Sequence, residues 1–176
     1  MSVGLAAFTI FHVLISLVAI FSGFVVGYGL LTARRFQGWA ALFLATTVAT
    51  SVTGFMFPVH HFMPSHGVGI ISMIILAIAL FALYGRHLAG AWRWIYVVTA
   101  MIAFYLNCFV LVVQLFLKVR ALKELAPTQT EPPFKLTQLA LLGIFVVVSV
   151  IAALRLCALC EPHLFFFADG RHTDAA

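Results

Sequence analysis

The sequence predicts an all-α polytopic transmembrane bundle of five helices, with four as the alternative count. Three observations carry this. Hydrophobic residues make up 64% of the 176 and charged residues 9%. A soluble domain carries about 25% charged residues, so a water-facing surface cannot be covered here. The charges are also segregated. The first is Arg34, and none occurs over 36–85, 94–117 or 136–154. Each interval holds at least one helix of roughly 20 residues, the length that crosses a hydrocarbon core, and the first holds two. Finally, the runs are continuously apolar rather than alternating, which indicates helices and not barrel strands.

One domain suits this length: a bundle over 1–159 and a polar tail over 160–176. The first helix is expected over about 5–31. Its start lacks a basic n-region and its apolar run exceeds an h-region, so it reads as a retained span rather than a cleaved leader. Within it, Gly23 and Gly27 lie four apart and predict a close helix-packing face. Val26-Gly27-Tyr28-Gly29 is not a potassium filter, because it ends an unbroken helix and not a re-entrant loop. A link with Arg34, Arg35 and Gly38 leads to helix 2, about 39–57. Pro58 and Pro64 bracket a loop with His60 and His61. Ser65 is the expected N-cap of helix 3, about 66–84. A link with Arg86, His87, Gly90 and Arg93 precedes helix 4, about 92–117. The longest loop, 118–135, carries Pro127, Pro132 and Pro133, and helix 5 follows over about 136–156.

Five spans put the chain ends on opposite faces. Arg34, Arg35, Arg86, Arg93 and Arg155 fall on one face, which the positive-inside rule places in the cytoplasm, with the N-terminus outside. Trp39, Trp92 and Trp94 fall on the same face and mark a headgroup plane. The net charge of +5 is thereby explained by topology and does not indicate nucleic acid.

Polar residues gather in the opposite half. His12 lies two turns into helix 1, and Ser16 follows one turn deeper. His66 opens helix 3. Asn107 and Gln114 share a face of helix 4, and Gln138 begins helix 5. Thr46, Thr50 and Thr53 stripe helix 2. Such groups are costly in lipid unless they pair or meet a ligand. They predict an outer-leaflet pocket lined by His12, His66, Asn107 and Gln114. His60, His61 and His66 are candidate metal ligands, since neutral imidazoles suit zinc, copper or haem iron. The ligand would be a metal ion, a quinone or haem. Haem ranks last, because His12 lies about 10 Å deeper than the start of its helix and faces no histidine at its own depth. The bland alternative is that Asn107 and Gln114 only join helices.

Cys157 and Cys160, with His163 and His172 nearby, form a second metal or redox candidate, read more simply as small residues at a membrane end. Cys108 reads as a packing residue.

The stretch from Trp39 to Gln114 resembles a family of small, uncharacterised bacterial multi-pass inner-membrane proteins. The resemblance rests on Thr50-Ser51-Val52-Thr53-Gly54-Phe55, His66-Gly67-Val68-Gly69-Ile70-Ile71-Ser72 and Gly90-Ala91-Trp92-Arg93-Trp94-Ile95-Tyr96. Ala126-Pro127-Thr128-Gln129 and Glu131-Pro132-Pro133 fit it as well. It implies a bacterial inner-membrane location and no activity, and it stops at Leu156.

Three functions are expected in order: a ligand-binding membrane protein, a non-catalytic subunit or assembly factor of a larger membrane complex, and a transporter or channel formed by homo-oligomers. No span contains an acid, and no nucleophile–base set, carboxylate pair or nucleotide loop is present, so an enzyme is the least supported reading.

Overall fold

The computed structural model describes residues 3–32, 34, 36–56 and 64–158. Within them the chain is helical and has no strand. The elements are α1 (Val3–Leu31), α2 (Gln37–Phe55), α3 (Pro64–Leu80) with a π-helical turn (Phe81–Gly85), α4 (Trp92–Lys118), a short α5 (Arg120–Leu125) and α6 (Pro132–Ala158). Five helices are long and apolar enough to cross a bilayer: α1, α2, α3 with its π turn, α4 and α6.

The five spans close into a ring. Each packs on the next in chain order, α6 returns to α1, and α4 also reaches across to α1. Phe104 of α4 sits at the middle of the packing and is 4% exposed. Its ring meets Phe24 of α1 at 4.9 Å, Phe43 of α2 at 6.2 Å and Phe145 of α6 at 4.9 Å, all edge to face. That geometry suits the aromatic quadrupoles. Gly23 makes the arrangement possible. A Cβ there would lie 2.5 Å from Phe104 Cδ2, so the expected glycine face on α1 is a seat for this ring. Gly69 similarly admits Phe55 between α3 and α2.

Burial is uneven. A third of the most apolar window of α1 and of α4 is buried, against 11% for α6. Ile144, Val146, Val147 and Leu154 of α6 all face outward, as lipid-facing residues do.

Several boundaries differ from expectation: α2 lies two residues earlier than 39–57, at Gln37–Phe55, and α6 runs on to Ala158. α6 begins at Pro132, not near 136, because proline suits the first turn of a helix, where its missing N–H costs nothing. Lys135 then lies inside that turn, so the charge-free interval started too late. The 118–135 segment is not plain loop, since α5 occupies a third of it, Arg120–Leu125. α3 begins at Pro64, which places Ser65 inside the helix rather than at its cap. The tail 160–176 lies outside the described residues.

Candidate functional site

Two of the expected site residues are held by threonines of α2. His12 Nδ1 lies 2.7 Å from Thr53 Oγ1. That hydroxyl directs its single proton to the helix carbonyl of Ala49, at 2.7 Å. The Thr50 carbonyl lies 3.2 Å from the same hydroxyl, so the imidazole is tied to a polar turn of α2. Gly54 lies against the ring, 3.7 Å from Cε1 to a Cβ built there. Ser16 does not face the imidazole; its hydroxyl donates to the His12 carbonyl at 2.8 Å. Asn107 Nδ2 donates to Thr47 Oγ1 at 3.0 Å, and Thr47 donates to the Phe43 carbonyl at 2.7 Å. Thr47 and Thr53 are six residues apart, about 9 Å along the helix. His12 and Asn107 are thus two rungs of one seam and not one constellation. Thr50 lies between the rungs with a buried, unpartnered hydroxyl oxygen.

Gln114 is exposed and does not join His12 or Asn107. Gln138, 9% exposed, reaches from α6 to donate to the Phe109 carbonyl of α4 at 3.3 Å, and its Oε1 is buried without a partner. His60 and His61 lie outside the described residues, as do Cys160, His163 and His172. The side chains of His66 and Cys157 lie outside them too. Among the described residues no three His, Cys, Asp or Glu side chains gather as metal donors.

The opposite end of the bundle holds a cavity of about 340 Å³. Its apolar floor comes from Val26 and Leu30 of α1, Ala40 of α2 and Leu83 and Leu88 near the π turn. Arg34, Gln37, Tyr84 and His87 form an exposed polar rim, and the buried Tyr96 of α4 completes the wall. The lining contains no carboxylate.

Comparison with family models, curated proteins and solved structures returns no match. The site must therefore be read from its own geometry.

Local backbone builds the rim from both sides. Arg34 lies back over Gly29, its N–H donating to the Gly29 carbonyl at 2.8 Å. A Cβ on Gly29 would lie 2.9 Å from the Arg34 carbonyl oxygen, so only glycine allows this approach. On the other side His87 and Leu88 are both left-handed, with φ of 47° and 57°. Two successive non-glycine residues in that region are strained, at about 1 kcal/mol or more each. The π turn ends one residue before this strained pair, and the Leu88 N–H returns to the Ala82 carbonyl at 3.0 Å. π turns and left-handed outliers concentrate at functional sites.

Three arginines stand around the same end. Arg86 stacks on Trp92 at 5.6 Å. Arg93 Nε donates to the Leu88 carbonyl at 3.3 Å, bracing the left-handed turn. Arg155 Nη1 donates to the Leu31 carbonyl at 3.0 Å, satisfying the C-terminal end of α1. Sequence reasoning registered this belt as a topology signal and missed the cavity beneath it.

Proposed function

We propose that this protein is a non-enzymatic membrane protein that binds one amphiphile drawn from the bilayer, a lipid or a quinone, in the cavity at its arginine-rich end. The cavity carries the reading: an apolar floor at membrane depth under a polar rim matches a molecule with a greasy chain and a polar head. The strained turn at His87 and Leu88 supports it, because strain of this kind persists where a site requires the conformation. The resemblance noted above supports a bacterial inner membrane, and the arginine bias supports a cytoplasmic position for this end.

The test is native mass spectrometry of detergent-purified full-length protein, with extraction of whatever it carries. One retained amphiphile per chain is expected, and Ala40→Phe, which fills the floor, reduces retention. Equal retention in both proteins defeats the proposal.

A second reading keeps the outer half as a metal or haem site. One observation favours it: an imidazole stands within the apolar span of α1, held against Thr53 of α2. Titration with zinc, copper and haem decides this reading; absence of saturable binding sensitive to His12→Gln removes it.

A further inference from the structure

We infer that the amphiphile in the cavity is an anionic lipid whose phosphate headgroup is held by Arg34 and His87. This rests on the amphiphile reading above and adds the charge and chemistry of the head.

The charge balance of this end points to an anion. No aspartate or glutamate occurs before Glu124 in the chain. The ion pair present among the described residues, Arg120–Glu124, belongs to the helix that follows α4, at the other end of the bundle. Around the cavity the described arginines differ in what they do. Arg86, Arg93 and Arg155 are engaged with a ring or a backbone carbonyl. The Arg34 guanidinium and the His87 imidazole line the cavity and make no hydrogen bond or ion pair among the described residues. A guanidinium offers five donors in a fixed fork that matches phosphate oxygens. At headgroup depth the abundant anion is lipid phosphate.

Placement argues the same way. Gly29 lets Arg34 lie back over α1 and fixes its backbone at the rim. The left-handed pair sets His87 on the rim while Leu88, 8% exposed, goes into the floor. One strained dipeptide thus supplies both a head contact and a chain contact. α2 begins beside them at Gln37 with no side-chain cap, so its N-terminal amides add positive potential at the same place. A free phosphate would use the rim and leave Val26, Leu30 and Leu83 without a role, so a lipid is the better occupant.

The experiment is native mass spectrometry of the full-length protein in neutral detergent. The probes are phosphatidylglycerol, phosphatidylcholine with the same acyl chains, and inorganic phosphate. A single phosphatidylglycerol is expected to bind about tenfold more tightly than phosphatidylcholine, the scale of one charge-assisted contact. Arg34→Gln combined with His87→Gln should bring the two lipids to parity, weakening phosphatidylglycerol more than phosphatidylcholine, whose own phosphate meets the same two side chains. Both positions are exposed, so folding is expected to survive, and an unchanged melting curve checks it. Equal affinity for both lipids in the unaltered protein, with both weakened by Ala40→Phe or Leu83→Trp, overturns the headgroup inference and leaves the amphiphile reading intact. Lipid binding insensitive to both floor variants overturns the amphiphile reading itself. Displacement of phosphatidylglycerol by equimolar inorganic phosphate overturns the lipid in favour of a free anion.

Discussion

Thr47 is fully buried, and its hydroxyl serves two helices, donating within α2 and accepting from Asn107 of α4. Removing the acceptor leaves an amide donor in an apolar seam. A Thr47→Val and Asn107→Leu double-mutant cycle, read by thermal unfolding in detergent, should give a coupling of about 0.6 to 1.7 kcal/mol. His87 tests a different balance. Glycine relieves the strain of its left-handed backbone but adds entropy to the unfolded chain, so His87→Gly should raise stability by at most about 1 kcal/mol while weakening retention of the proposed amphiphile. A variant that melts lower and binds as before contradicts this account. The residue scale also shows where the sequence was legible. Asn107 joining helices was readable, because an amide in an apolar run must find a partner. His12 was readable as unusual, but its partner was not, since Thr53 lies 41 positions away. Gln114 shares the face of Asn107 by spacing and is nonetheless exposed; periodicity reports a face and not what stands opposite it.

Among the elements, α1 depends on the seat that Gly23 offers Phe104. Gly23→Ala should destabilise by about 1 to 3 kcal/mol, the usual cost of overpacking, and Phe104→Leu in the same protein should recover part of it. Additive losses would show that the two do not meet. The loop before α6 answers to pH. Glu131 accepts from the Thr128 hydroxyl at 2.9 Å and from the N–H groups of Thr128 and Thr130 at 3.1 and 3.0 Å. Desolvation opposes ionisation there, but the hydrogen bonds outweigh it and hold the carboxyl below its ordinary 4.5. A depressed carboxyl contributes order above pH 4.5 and loses it as pH falls through its folded value. Amide exchange at 128–131 should therefore quicken as pH falls below the ordinary carboxylate range, after correction for intrinsic rates, and Glu131→Ala should abolish the step. The five spans were legible because charge is excluded from lipid, which writes their limits into the chain. The cavity was not. Its lining comes from 26–40, 83–88 and 96, and neither the π turn nor the left-handed pair has a marker in residue order.

At the scale of the whole molecule, the arginine-rich end is a shared plane. Arg155 at the end of α6 reaches the last turn of α1, and Arg34 and His87 line one cavity at this end. Reporter fusions after Leu31 and after Tyr84 should therefore report the same side, and a fusion after Lys118 the other. A reporter pattern that places Leu31 and Tyr84 on different sides would break the five-span topology. The closing contact has a further consequence. Every residue that lines the cavity, and both rungs of the α1–α2–α4 seam, precede Lys118. α6 adds Phe145, Gln138 and Arg155 to a body that is otherwise complete. Synthesis from the N-terminus therefore delivers the whole lining of the cavity before α6. α6 is a latch on that body, and Arg155 in its last turn ties it to the end of α1.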